Sequence, residues 1–177
     1  MKALIFAILA SAFGSASAQT AHTWQLGVYD PKILANQSLG TLTIKGVIYP
    51  ANSPLVYASS NPAMNVVRIY YAATLNADNN GILSTICPGE AGDQSSVTPE
   101  QLQDDAHAMK EMTYASANAV IPYGNYYVAF TKFAGPSTPI FLRGFILKHV
   151  NGSYCMTKDL DQDALFWSVY ELMSNYL

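Results

Sequence analysis

The sequence has little charge, few cysteines and no long apolar run. Only 12% of its 177 residues are charged, whereas soluble domains carry about 25%. Because 50% of the chain is hydrophobic, an intrinsically disordered protein is excluded. With 9 Lys and Arg against 12 Asp and Glu, the chain lacks the basic excess typical of nucleic-acid-binding proteins. No run reaches the roughly 20 apolar residues of a membrane-spanning helix, so we expect no membrane span.

Motifs for catalysis and metal binding are also missing. The histidines His22, His107 and His149 are isolated, with no His-x-x-x-His or Cys-x-x-Cys spacing. Beyond residue 18 there is no Gly-x-Ser-x-Gly motif and no glycine-rich phosphate loop. Asp159, Asp161 and Asp163 occupy alternate positions, as the first ligands of a calcium loop do. However, Ala164 stands where such a loop has glycine, and Tyr170 stands where it has glutamate. We therefore predict no cofactor, no metal and no catalytic residue.

The first residues have the composition of a secretory signal peptide. Lys2 supplies the positive start, Ala3–Phe13 the apolar stretch, and Ala16-Ser17-Ala18 the small residues before a cleavage site. We predict a signal peptide over residues 1–18 and a single α+β domain over 19–177. The protein is then periplasmic or secreted.

The two cysteines agree with an oxidising compartment. Cys87 and Cys155 both follow the signal peptide and form an even pair, which predicts one disulfide bond. Closing a loop of that length stabilises a fold by roughly 4 kcal/mol in the chain-entropy model. Two separate buried thiols are the alternative interpretation.

Helical signals occur at three places along the chain. Asn61 before Pro62 predicts a capped helix, and Thr98 with Gln101 forms the pattern of a capping box. Aspartates near residue 160 suit the start of a final helix, since negative charge is favourable at a helix N-terminus. The apolar stripe of that final helix is predicted to contain Leu165, Phe166, Val169, Leu172, Met173 and Tyr176.

Strand signals dominate the N-terminal part and the region from Ala119 to Thr157. Asn151-Gly152 predicts a type I′ hairpin turn, which pairs His149 with Tyr154. One face of the hairpin then carries Arg143 and other residues two apart along the strand. The fold class predicted is α+β, with helices packed on a curved antiparallel sheet and an amphipathic C-terminal helix.

The helical segment Pro62 to Met112, followed by the meander with its Asn-Gly hairpin, resembles the nuclear-transport-factor-like (cystatin-like α+β cone) superfamily of small exported domains. Tyr154 stands where tryptophan is commoner in that hairpin. The resemblance implies helices packed on the curved sheet. The Gln-x-Val-x-Gly loop of cystatin inhibitors is missing, since Gln25 is followed by Leu-Gly-Val-Tyr.

Arg143 lies within an otherwise apolar strand and shares a face with Phe145. A guanidinium buried on that face is unfavourable without an acidic partner or an anionic ligand, so a structural partner, exposure at the edge of the sheet or a ligand contact is expected there. His149 and Tyr154, on the same face nearer the turn, extend the predicted site. The candidate ligand-binding residues are Arg143, Phe145, His149 and Tyr154.

Low charge, abundant tyrosine and the missing catalytic motifs favour an exported, non-enzymatic binding protein. Its partner would be a small apolar ligand or another protein, which it could inhibit. A small pocket enzyme of the isomerase or dehydratase type is one alternative, and a structural component of the cell envelope is another. The sequence does not specify the ligand or the oligomeric state.

Overall fold

The structure, a computed structural model, describes residues 19–29, 38–55, 60–175 and 177. The predicted signal peptide, residues 1–18, lies outside this range, and so does Tyr176 of the predicted final helix. Within it, the elements follow the order β1 (Thr20–Tyr29), β2 (Ser38–Pro54), α1 (Pro62–Leu75), α2 (Asn79–Thr85), a short 3-10 helix (Gly92–Ser96), α3 (Pro99–Lys110), β3 (Tyr114–Tyr123), β4 (Tyr126–Gly135), β5 (Thr138–Val150), β6 (Ser153–Met156) and α4 (Ala164–Ser174).

The strands form one antiparallel sheet in which each strand pairs with the next along the chain, from β1 to β6. The turn between β5 and β6 has positive φ angles at both central residues, 50° at Asn151 and 85° at Gly152, as a type I′ turn requires. The predicted register is confirmed, because His149 pairs with Tyr154. Together with the helices, this sheet confirms the predicted α+β class.

Local side-chain bonds begin the helices α1 and α3. The Asn61 carboxamide oxygen accepts hydrogen bonds from the N–H groups of Ala63 and Met64 at 3.0 and 3.2 Å. Thr98 and Gln101 bond each other reciprocally, so the predicted capping box is confirmed. No helix in the described ranges is both long and apolar enough to cross a bilayer.

Helix α4, the predicted C-terminal helix, is present, but it begins at Ala164, after the aspartates near residue 160. The Asp163 carboxylate accepts the Phe166 N–H at 2.9 Å, which caps the helix just before Ala164. Leu165 was expected on the buried stripe, but its side chain is 66% exposed. Consecutive residues of a helix point about 100° apart, and the buried stripe follows Phe166 instead.

Helices cover both faces of the sheet. Helices α1 and α3 pack on one face, and α4 packs on the other. The first core contains, among others, Met64, Val67, Ala129, Phe133, Phe145 and Leu147. The second contains Trp24, Ile121, Val128, Phe130, Ile146, Phe166, Val169 and Met173. The sheet face that carries Phe145 and Leu147 is therefore filled by packed side chains over most of its length.

Cys87 and Cys155 form the predicted disulfide bond, which links two positions 68 residues apart. It joins the segment after α2 to strand β6. Beside it, the Cys87 N–H donates to the Met156 carbonyl at 2.9 Å. The start of the loop between α2 and α3 is thus fastened to the last strand of the sheet.

Candidate functional site

Strand β6 covers only the last part of β5. The pairing ends where Leu147 meets Met156, and the Thr157 N–H makes one further bond to the Ile146 carbonyl at 3.0 Å. The chain then leaves the sheet. Among the residues that the structure describes, no strand pairs with the outer side of β5 before this point.

A cavity of about 450 Å³ lies against this uncovered edge. Tyr70, Arg143 and Phe145 line it from the α1 side of the sheet, and Trp167 and Tyr170 line it from α4. Its volume falls within the roughly 300–1,000 Å³ of ligand pockets. The rest of the lining includes Glu90, Gln94, Val97, Lys158 and Asp161.

Tyr170 satisfies the backbone of the uncovered edge. Its hydroxyl accepts a hydrogen bond from the Gly144 N–H at 3.0 Å and donates one to the Leu142 carbonyl at 3.3 Å. Residue 144 has to be glycine here, since a Cβ atom would overlap the Tyr170 ring. One phenol group therefore replaces part of the hydrogen bonding that a neighbouring strand would supply.

Arg143 lies at the cavity with its guanidinium group against aromatic rings. The guanidinium carbon is 4.7 Å from the ring centre of Phe145 and 5.9 Å from that of Tyr70. The side chain is exposed, and within the described residues no carboxylate pairs with it. These cation–π contacts hold the cation in place, and no group of the described part of the chain accepts a hydrogen bond from it.

On the side of the cavity that Glu90 lines, Lys148 forms an ionic cluster with Glu90 and Asp159. Lys148 Nζ donates to carboxylates of Glu90 and Asp159, and the Lys158 N–H donates to Glu90 Oε2 at 3.3 Å. Burial raises the pKa of Glu90, but these hydrogen bonds outweigh it and leave the pKa below its ordinary value. The bond from Lys148 is also the main cause of the lowered pKa of Asp159. Glu90 is therefore ionised and bound to Lys148, which it shares with Asp159.

The other two predicted site residues lie elsewhere. The rings of His149 and Tyr154 are 5.0 Å apart, as the register predicted, and they line an open recess of about 440 Å³ near the two hairpin turns. Burial and a hydrogen bond with Tyr127 raise the pKa of Tyr154. Leu147, which is 0% exposed, separates this recess from Arg143 along β5. The structure thus brings Arg143 and Phe145 together and places His149 and Tyr154 in a second recess.

Sequence reasoning missed the residues of α4 that complete the cavity. Trp167 is 44% exposed and donates its indole N–H to the Asp161 carbonyl at 2.9 Å. The sequence feature that could have indicated a contact surface on α4 was Trp167, a large aromatic residue outside the predicted apolar stripe. Nothing in the local pattern indicated that Tyr170 would reach the backbone of β5.

No group of three or more His, Cys, Asp or Glu side chains that could hold a metal ion occurs in the described part of the chain. Asp159 instead binds Lys148 and the Tyr126 hydroxyl, the latter at 3.1 Å. Asp159 thus takes part in an ion pair, and Asp163 caps α4.

Comparison of the chain with protein-family models, with curated proteins and with solved structures found no match. The resemblance to the nuclear-transport-factor-like superfamily accordingly stays a prediction from the sequence.

Proposed function

We propose that the protein is an exported, non-enzymatic binding protein and that the cavity beside β5 is its ligand site. The observation that carries this proposal is Arg143, whose guanidinium group lies at the cavity without a carboxylate partner among the described residues. A cation held by aromatic rings at a cavity is suited to bind an anionic group through charge-assisted hydrogen bonds.

The lining defines the chemical class of the ligand. Aromatic side chains from α1 and α4, including Tyr70 and Trp167, suit a ligand whose main part is apolar or aromatic. Lys158 adds a second cation at the cavity and Asp161 adds one carboxylate, while Glu90 is engaged by Lys148. The ligand proposed is therefore a small molecule that carries an anionic group on an apolar body.

The enzyme alternative requires a carboxylate or histidine within hydrogen-bond reach of a tyrosine in a closed apolar pocket. Tyr126 and Asp159 are hydrogen-bonded to each other, but the Asp159 carboxylate is exposed and neither residue lines the cavity, so this pair does not meet that requirement.

Export is supported by the Cys87–Cys155 disulfide, because such bonds persist in oxidising compartments.

The test compares two dyes with the same aromatic body, 8-anilino-1-naphthalenesulfonate and its uncharged parent N-phenyl-1-naphthylamine. We expect the sulfonate to bind at one site and more tightly, by about tenfold or more, since a hydrogen bond to a charged group contributes roughly 1.5–3 kcal/mol. Fluorescence titration and calorimetry measure both affinities and the stoichiometry.

Arg143→Gln should abolish the preference for the sulfonate. The matched control is Lys132→Gln, which removes the same charge from the neighbouring strand β4 at a position outside the cavity lining. Lys132→Gln should keep the preference. The proposal would be overturned if the sulfonate bound the wild type and Arg143→Gln with equal affinity. It would also be overturned if the sulfonate did not bind the wild type at a single site.

A further inference from the structure

Strand β1 forms one edge of the sheet and lacks the features that usually prevent edge-to-edge pairing. It pairs with β2 on one side, and no strand in the described part of the chain pairs with its other side. Edge strands in natural proteins are commonly protected by shortness, charged side chains, proline or bulges. Strand β1 has 10 residues and contains no Lys, Arg, Asp, Glu or Pro. Its edge is therefore open to a further strand.

The strand at the opposite edge of the sheet is protected. Strand β6 has only 4 residues, and beyond it the Tyr170 hydroxyl binds the backbone of β5 at Gly144 and Leu142. Of the two edge strands, β1 is thus the one that is both long and unprotected.

The backbone of β1 is regular enough to accept a partner along most of its length. Its register with β2 is unbroken from Thr20 to Val28. In an antiparallel strand, each residue directs its N–H and C=O groups to one side, and the next residue directs them to the other. Every second residue between Thr20 and Val28 therefore presents both groups to the outer side of β1.

The second half of β1 belongs to an arm of only two strands. The pairing of β2 with β3 involves Val47, Ile48, Ser53 and Pro54. In that register Ile44 lies opposite Tyr123, the last residue of β3, so Gly40–Thr43 lie beyond the end of β3 and pair with β1 alone. An isolated two-stranded hairpin is marginally stable in water, and three or more strands are needed for independent stability. The arm therefore lacks strands that a partner could supply.

We propose that a second copy of the chain pairs with this edge, and that the two β1 strands run antiparallel about a two-fold axis near Gln25. Each arm then gains the two strands of the other, and the two arms form one four-stranded antiparallel layer. The two sheets join into a single sheet of twelve strands, since each copy has six.

Charge favours a second copy over a foreign partner. In a two-fold interface the same surface patch meets itself, so every charged residue of the patch risks facing its own like charge. Strand β1 has no Lys, Arg, Asp or Glu, so its pairing with itself brings no such charges together. The same lack of charge leaves nothing in β1 by which a foreign partner could be selected electrostatically.

The proposed dimer leaves the ligand cavity accessible. The cavity lies beside β5, near the edge of the sheet opposite to β1. The dimer would therefore carry one cavity toward each end of the joined sheet. This inference does not depend on the cavity binding a ligand, so it and the proposed function can fail separately.

The first test is sedimentation equilibrium of the wild-type protein at concentrations up to about 500 µM. We expect a monomer–dimer equilibrium in which the dimer predominates at about 100 µM, in the range of weak protein interfaces. A protein that stays monomeric over the whole range would overturn the proposal.

Paired charge variants test whether β1 is the contact. Thr23 and Gln25 are exposed and lie on the same face of the strand, because they are two residues apart. The double variant Thr23→Lys/Gln25→Lys places lysines of the two copies about 5–8 Å apart and should weaken dimerisation by about tenfold or more. The variant Thr23→Glu/Gln25→Glu should do the same. An equal mixture of the two variants should dimerise again, since lysine then faces glutamate.

The matched control is Gln103→Lys/Ala108→Lys, which adds the same charge at two exposed positions of helix α3 and should dimerise as the wild type does. The interface lies elsewhere, and the proposal is wrong, if neither β1 variant weakens the dimer. It is also wrong if the mixture of the two variants stays monomeric while each variant keeps the urea midpoint of the wild type.

Amide hydrogen exchange of the wild type provides a test without any variant. At high concentration the amides from Thr20 to Val28 should all be protected, whereas on dilution every second one should exchange rapidly. The same exchange pattern at both concentrations would contradict pairing through this edge.

Discussion

The hydroxyl of Tyr170 lies 3.0 Å from the backbone nitrogen of Gly144, although Tyr170 belongs to α4 and Gly144 to strand β5, 26 positions earlier in the chain. The same hydroxyl donates to the carbonyl of Leu142, so a single side chain satisfies two groups of the sheet edge. This contact both attaches α4 to the sheet and forms part of the proposed binding cavity.

Tyr170→Phe should destabilise the fold. It removes the partner of one backbone donor and one backbone acceptor, and leaving such groups unpaired costs about 1–3 kcal/mol. Urea unfolding measures the change. Tyr126→Phe is the control, because its hydroxyl binds a carboxylate at the exposed surface, and it should lower stability less. Equal effects of the two substitutions would contradict the role given to Tyr170.

The disulfide should account for a large part of the stability. Replacing Cys87 and Cys155 together by serine removes a link between residues 68 positions apart. The chain-entropy model predicts a loss of roughly 4 kcal/mol. Urea unfolding with and without a reducing agent provides the test. The reductant should destabilise the wild type and leave the double variant unchanged, and a variant as stable as the oxidised wild type would refute the prediction.

The cluster around Lys148 should make stability depend on pH. Its hydrogen bonds lower the pKa of Asp159 and, against the opposing effect of burial, that of Glu90. A lowered carboxyl pKa stabilises the fold above the ordinary value of about 4 and ceases to do so as the pH falls through the lowered value. The hydrogen bond that Lys148 donates to Glu90 is the main cause of the raised pKa of Lys148, so this contribution is lost again as the pH rises through that raised value.

The measurement is the difference in urea midpoint between the wild type and Lys148→Met. This difference should be present at neutral pH and vanish at about pH 2, where the carboxylates are protonated. Lys132→Met serves as control, since Lys132 forms no ion pair among the residues described, and it should show no such pH dependence. A Lys148→Met difference that persists unchanged in acid would disprove the assignment.

Arg68 should be required for the packing of α1 against the end of β2. Its side chain is 6% exposed and donates to the carbonyls of Leu55 and Pro54 at 3.2 and 2.7 Å. Burial lowers the pKa of Arg68, and nearby Tyr49 opposes this effect. Arg68→Met leaves both carbonyls without these bonds and should cost about 2 kcal/mol by urea unfolding. Ile69→Thr, at the exposed neighbouring position, should change stability by about 0.5 kcal/mol or less.

Features that depend on neighbours in the sequence were predictable. Thr98 and Gln101 are three residues apart, and Asn151-Gly152 fixes its turn by its own backbone preference, so both were found from the sequence alone. The register of the hairpin followed from the turn. The disulfide followed from the parity of the cysteines and the expected compartment.

The geometry of the site was not predictable in the same way. The early end of β6 depends on where the chain leaves the sheet after Thr157, and no residue type marks that point. The contact between Tyr170 and Gly144 depends on the position of α4 across the sheet. Arg143 was recognised as unusual from its apolar neighbours, but whether the chain itself supplied an acidic partner was a question of tertiary structure.

The position of α4 at the end of the described fold has a consequence for the order of folding. The residues it shields, including Val128, Phe130 and Ile146, all precede Ala164–Ser174 in the chain. Until that helix docks, one side of the sheet presents these apolar residues to water and to other unfolded chains. Delayed docking or loss of α4 should therefore promote aggregation.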